Sequence, residues 1–535
     1  MSAQASLATA YSSQTVQLNG QGSSDADGTI ASFTWSQVAG PAVVLTEPSA
    51  AAASFVVPPL DSTATLVIRL RVVDDDGAAA SQDIQINVGP ADVRLNATVA
   101  TGAPFVTDRD PTPLRLTSAA FGSTSPAPQS IRWQSNVQGD LGAQESVDDP
   151  LLATLVPGAH SLTVIADFGA LGVTRGSYDL RVLPYRSEPT AFQSTPAAGA
   201  AFTMPIVLIN VIPTNDGVNV DAAVTGPSGT SEWQPGTIVA LQSWISTITT
   251  RAKFMLEEGS RYRGYKNAAA PQVGYQVVEI YNFYESFKPG LPDPALPGNS
   301  FPDYLDILGR IPAQELIEQS GVKEIWLYGY HFGKFSLNES NMSSPATGDV
   351  SNSYRTPNDL PIFDRTYILY QNNYTRSHAE AVHNHGHQIE SMMGYVNQRY
   401  DGNTDLFWRK FVGLDANGVF VPGHCGATHW PLNARTDYDY NNAVDHVQSD
   451  CEDWTPAGTG AKKDASLATW ADIPYAWPDT GTVSQKNEAQ WYVYWMQNLP
   501  GAGNTIPYNA TTLENWWTFV GDWDAAIAAG KRLYR

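Results

Sequence analysis

The spacing of apolar residues changes period near residue 185, and this change restricts the folds open to the chain. Before it, short runs alternate polar and apolar residues, as in Thr65-Leu-Val-Ile-Arg-Leu-Arg-Val-Val73 and Asp83-Ile-Gln-Ile-Asn-Val88. Successive side chains of a strand point to opposite faces, so alternation of this kind predicts strands with one buried face. Turn clusters separate the runs, which predicts all-β sandwiches. After the change, the continuous run Met204-Pro-Ile-Val-Leu-Ile-Asn-Val-Ile212 predicts a strand buried on both faces. Ile238, Leu241, Ile245, Ile248 and Phe254 then follow at helical spacing. Strands alternating with helices predict an α/β domain. The expected fold is therefore multidomain: two all-β immunoglobulin-like sandwiches over 1–89 and 90–185, then one large α/β domain over 186–535.

Within that last domain, 277–280, 324–330 and 366–370 are further strand candidates. Helices are expected over 302–319, 377–399, 487–498 and 513–529. Composition divides at a similar place. The first 184 residues carry 17 Asp and Glu against 8 Arg and no Lys, whereas eight of the nine His lie between His331 and His446. A net charge of −22 argues against nucleic acid or an anionic membrane surface as the partner. No apolar run reaches the ~18 residues of a membrane span. Met1-Ser-Ala-Gln-Ala-Ser-Leu-Ala-Thr-Ala10 lacks the basic and apolar regions of a leader, so a natural leader is expected to be absent or removed.

The front of the chain also carries a family signature. Ser24-Asp-Ala-Asp-Gly28 is followed by Ile30, Phe33, Trp35, Gln37 and Gly40-Pro41, and the segment closes on Val72-Val-Asp-Asp-Asp-Gly77. This resembles the PKD-type immunoglobulin-like module of exported bacterial proteins. The resemblance implies a spacer or adhesion role and a secreted or cell-surface location. Asp25, Asp27 and the Asp74, Asp75, Asp76 run are candidates to hold calcium at loop ends, or else solvated turn carboxylates. In the second sandwich, Trp133 is expected in the core and His160 in a structural hydrogen bond.

The chemistry concentrates in His378-Ala-Glu-Ala-Val-His383-Asn-His385-Gly-His387-Gln-Ile-Glu390. On a helix, Glu380, His383, His387 and Glu390 share one face and His385 does not. Two imidazoles one turn apart can reach the same zinc ion, and a nearby carboxylate can be a ligand, a partner to a ligand or a general base. The alternative is a His-rich surface helix with one core face. The segment His383-Asn-His-Gly-His387 resembles the zinc helix of zincin metallopeptidases, which implies a metal-activated water. The family's general-base Glu is replaced by Asn384, so that role passes to Glu380, Glu390 or another segment. His387-Gln-Ile-Glu390 also has the His-x-x-Glu spacing of zinc carboxypeptidases.

Two loops are expected to face this helix. Gly423-His-Cys-Gly-Ala-Thr-His429 offers His424 or His429 as a further metal ligand, with Arg435 beyond it as a clamp for an anionic group. Cys425 and Cys451, the two cysteines, are read first as a disulfide, then as metal ligands, then as free thiols. His331 and Glu339 follow a strand, where open α/β sheets bind ligands, and are candidate catalytic residues or, equally, loop hydrogen-bonders. The polar, Pro-punctuated segment 351–361 is expected to face substrate. No nucleophile elbow, P-loop or dinucleotide fingerprint is present. The leading expectation is an exported zinc hydrolase acting on an extracellular peptide. A carbohydrate-active protein is the alternative, using the 13 Trp of the back domain and Glu285 with Glu339 on a polysaccharide. A catalytically inactive adhesin is the third reading.

Overall fold

The computed structural model describes residues 1–535 apart from 13, 61, 91–93, 100–103, 121–126, 170–172, 228–234, 337, 354–358 and 472–482. Part of the expected substrate-facing segment, 354–358, lies outside the described residues. The chain divides into two compact units, Met1–Pro184 and Tyr185–Arg535.

The front unit contains two separate cores. In the first, Thr15–Asn19 pairs with Gln4–Ala5 and Ala52–Val56, and the facing sheet runs Thr9–Tyr11, Ala79–Gly89, Ala64–Asp74, Ile30–Ala39. The alternation along 64–74 places Leu66, Ile68, Leu70 and Val72 inward against Val16, Leu18, Trp35 and Phe55. Each such aliphatic side chain removed from water contributes about 1.5–3 kcal/mol. Asp74 and Asp75 close turns here, accepting from Ala78 N at 2.7 Å and Thr29 N at 2.9 Å. In the second, Ser130–Ser135 lies between Gly158–Asp167 and Gly139–Gln144. Trp133 is fully buried and donates to Gln144 Oε1 at 3.2 Å. His160 bonds Ser135 Oγ and the Val156 carbonyl, both at 2.8 Å, which gives it the structural role expected.

The back unit is built on a six-stranded mixed sheet. Its strands are β1 (Arg186–Ser187), β2 (Phe202–Val211), β3 (Val273–Phe283), β4 (Glu324–Gly329), β5 (Ser340–Ser343) and β6 (Tyr367–Asn373), in the order β1-β3-β2-β4-β6-β5. The four central strands are parallel, and β1 and β5 pair antiparallel at the two edges. Three long helices, α1 (Ile238–Gly259), α2 (His378–Asp401) and α3 (Val483–Asn498), pack on one another, with α2 also against β6. Among the described residues, no helix is long and apolar enough to cross a membrane.

Two helices differ from expectation. The segment 302–319 is broken into Tyr304–Gly309 and Ala313–Glu318 by Pro312, which has no N–H to continue the first helix. The segment 513–529 is split into Trp517–Gly521 and Trp523–Ala528 at Asp522, whose extended backbone lets its side chain cap the second helix at Ala525 N. Among the elements that were not expected are the polar edge strand β5 and a π-helical turn over Asp405–Val412.

Candidate metal centre

Helix α2 begins where the sheet ends. Ser377, four residues beyond β6, caps it by accepting from Ala379 N, and Gly402 closes it in the left-handed conformation at φ 70°. This fixes the rotation of the helix, and with it the direction in which His383 and His387 project. Their Nε2 atoms are 2.7 Å apart. His429 Nε2 lies 3.0 Å from each of them. Among the described residues this is the one group of His, Cys, Asp or Glu placed closely enough to hold a metal ion.

The donor chemistry fits a cation. Glu390 Oε2 is 2.8 Å from His387 Nδ1, so that nitrogen carries the proton and Nε2 presents a lone pair to the other two rings. Burial and the neighbouring imidazoles hold His383 well below the usual histidine pKa, and burial with His387 lowers His429 to about 4. Burial alone would lower His387 too, but the Glu390 carboxylate outweighs it and raises that ring. Three nitrogens facing one another at 3.0 Å or less, two of them on rings neutral at pH 7, form a donor set that could hold a metal ion.

The loop that brings His429 is held at several backbone points. Cys425 and Cys451 form a disulfide. Trp495 and Trp491 of α3 donate from Nε1 to the Gly426 and Ala427 carbonyls, both at 3.0 Å. Tyr440 Oη lies 3.0 Å from the Thr428 carbonyl, and Thr428 N donates to Glu390 Oε1 at 2.6 Å. Gly386 makes the approach possible, because a Cβ there would come within 2.6 Å of Thr428 Oγ1. Glu390 is therefore engaged by both oxygens, so of the roles open to it, it takes that of a partner orienting His387 and the loop rather than that of a free base. His424, the other candidate from this loop, packs instead against Gly413.

The remaining candidates divide into near and far. Glu339 Oε2 stands 3.8 Å from His387 Nε2, and Asn352 Nδ2 donates to the same carboxylate oxygen. Glu380 is buried with one oxygen 3.2 Å from Arg376 Nε and the other without a hydrogen-bond partner. Burial, against the pull of Arg376, pushes its pKa up to about 8, so it is protonated at neutral pH. His331 stands at the surface. Arg435 is also exposed and pairs with Asp445 at 3.2 Å, which engages its guanidinium away from the histidines. Asn384 donates to the Gln371 carbonyl and to Asn372 Oδ1, both at 3.1 Å, so it braces α2 on β6. His385 turns into the core, stacked on Tyr370 with ring centroids 3.7 Å apart and bonded to buried Glu324 at 3.1 Å.

Sequence reasoning missed Arg376 and Tyr438. Arg376 is close enough to affect the charge states of Glu380, Glu488 and His383. Tyr438 has a φ of 61°, a conformation that non-glycine residues adopt chiefly under constraint, and its ring centroid is 4.0 Å from that of His429. Burial and the nearby Glu339 and Asp437 carboxylates raise its phenol to about 12, which keeps it protonated. The adjacent Asp437-Tyr-Asp439 run was the only signal in the sequence. The tryptophans considered as sugar platforms include Trp326, Trp470, Trp491, Trp495, Trp516 and Trp517, all buried in the core, and Glu285 is paired with Arg310.

Residues 4–88 match a family model that describes a PKD domain. This segment is a PKD domain. Among solved structures, the chain is similar to the PKD domain from KIAA 1837 protein, at 24% identity over 17% of this chain and 88% of that chain, with a TM-score of 0.15. It is also similar to a nucleoside hydrolase-related hypothetical protein from Saccharophagus degradans, at 26% identity over 15% of this chain and 21% of that one, with a TM-score of 0.14. The fibronectin(III)-like modules of Clostridium thermocellum CbhA match at 10% identity over 34% of this chain and 95% of theirs, with a TM-score of 0.15. No curated protein matches the chain. The PKD domain match ends at residue 88, so the histidine trio lies outside it.

Proposed function

We propose that this chain is an exported, metal-dependent hydrolase of peptide bonds, with an α/β catalytic domain carried behind its PKD domain. The observation that supports this most directly is the convergence of His383, His387 and His429 on one point, with all three Nε2 atoms within 3.0 Å of each other. Three protein ligands with an open fourth position are characteristic of catalytic zinc sites, whereas structural sites are closed by four. Bound there, zinc would supply a Lewis acid for a substrate carbonyl and lower the pKa of a water.

The chain's own residues divide the remaining work. Glu339 is the carboxylate that accepts the proton of the attacking water at Oε2, since it lies 3.8 Å from His387 Nε2 and retains partial exposure. It replaces Asn384, whose amide is tied to β6. Glu390 keeps His387 in the tautomer that leaves Nε2 open. Tyr438, protonated beside His429, donates to the oxygen that becomes negative as the carbonyl is attacked. The disulfide is consistent with an oxidising, extracellular compartment.

Elemental analysis of the purified full chain tests the reading. One zinc per chain is expected, with loss in His383→Ala, His387→Ala and His429→Ala, together with chelator-sensitive cleavage of a peptide library. Metal-free protein that gains no hydrolytic activity on zinc addition would refute it.

A further inference from the structure

A cavity of about 420 Å³ opens directly beside the histidines and shares His387, Glu390 and His429 with them. Its size lies within the range of small-ligand pockets. Trp408, Leu414, Ala416 and Trp430 form much of the rest of its lining. Trp408 can lie against α2 because residue 394 is glycine, where a Cβ would meet its indole nitrogen at 2.7 Å. Trp430 is steadied by Phe420, stacked at 5.6 Å.

Several polar groups of this lining are engaged within the protein. Asp415 Oδ1 accepts from Asn417 N and Val419 N, both at 2.8 Å. Arg409 Nε pairs with Asp405 at 3.2 Å, and Trp430 Nε1 donates to Asp437. Glu390 is engaged by His387 and Thr428. A sugar ring placed against the Trp408, Leu414, Ala416 and Trp430 side of the lining would find few partners for its hydroxyls there, at the cost of their desolvation. A hydrocarbon side chain has no such groups and gains by leaving water.

We propose that this cavity is the specificity pocket of the enzyme and receives a large apolar side chain, aromatic or branched aliphatic, from the residue flanking the scissile peptide bond. The proposal rests on the peptidase reading, and it adds which peptides are cut.

Ala416 is exposed yet lines the cavity, so Ala416→Phe fills it without disturbing the core. With the zinc-loaded full chain, matched peptides carrying Phe, Leu, Ser or Gly beside the cleaved bond are expected to be cut in favour of Phe and Leu. In Ala416→Phe the ratio of kcat/KM for Phe over Gly peptides falls about tenfold or more. A second readout needs neither metal nor turnover. In EDTA-treated full chain with ¹⁵N-labelled tryptophan, N-acetylphenylalanine amide shifts the Trp408 and Trp430 indole signals. N-acetylserine amide and glucose do not, and Ala416→Phe abolishes the shift. Indole shifts in a protein that neither binds zinc nor cuts peptides would support the pocket and overturn the peptidase reading alone. Zinc-dependent cleavage with no side-chain preference and no indole shift overturns the pocket and leaves the peptidase reading standing.

Discussion

Glu390 holds His387 Nδ1 at 2.8 Å with one carboxylate oxygen and the Thr428 amide at 2.6 Å with the other. One side chain thus orients His387 on α2 and anchors the loop that delivers His429. Removing it acts on both. Glu390→Ala is expected to weaken zinc binding about 10–100-fold, as for other partners of metal-bound histidines. Competition with a chromogenic chelator measures this.

Glu339→Gln separates the base from the ligands. If Glu339 takes the proton of the attacking water, kcat falls by about 10²–10⁴ while bound zinc stays at one per chain. Loss of zinc along with activity would instead make Glu339 a ligand.

Gly386→Ala isolates a steric contact. Alanine is favoured over glycine inside a helix by about 1 kcal/mol, yet here its Cβ meets Thr428 Oγ1 at 2.6 Å and Cγ2 at 3.1 Å. The expected outcome is a lower Tm and weaker zinc binding, with both largely restored in Gly386→Ala/Thr428→Ala, which removes the two atoms in the way. Thermal melts of the single and double variants, with and without zinc, decide the matter.

Glu380 gives the metal-free protein a pH dependence of definite sign. Its carboxyl titrates near 8 in the folded chain against an ordinary value of 4.5. The unfolded chain therefore releases this proton first. The contribution of Glu380 to stability is fully present below about pH 4.5 and is lost as the pH rises towards 8, by at most about 1.4 kcal/mol per pH unit. Glu380→Gln should remove this slope in urea denaturation series run with EDTA.

Much of this site is legible in local chemistry, and the rest depends on contacts distant in the chain. Ser377, the 383/387 spacing and Gly402 specify α2 and its ligand face within a single stretch of sequence. The direction of Glu390 is not local: it faces His387 on its own helix and Thr428 from a loop 38 residues on. His429 and His424 are equivalent in the sequence, and only the packing of His424 on Gly413 distinguishes them. The polar run Ser340–Ser343 reads as loop because no apolar alternation marks it, yet β6 supplies its hydrogen bonds. Pro312 and Asp522 break helices that apolar spacing alone continues, since that spacing carries no information about a missing N–H or a capping side chain.

The bond between Cys425 and Cys451 begins four residues before His429. Two histidines belong to a helix that folds with the sheet, but the third arrives on a loop tethered in part by an oxidation event. Closing a loop of this length stabilises a chain by about 3–4 kcal/mol. Without the bond, His383 and His387 are still placed by the helix, and the loop that carries His429 lacks one of its restraints. If the proposed zinc site is correct, forming this bond firms the position of His429 beside His383 and His387, and zinc affinity is expected to rise on oxidation. Zinc affinity measured before and after reduction, and in Cys425→Ser/Cys451→Ser, shows how much of that rise the single bond provides.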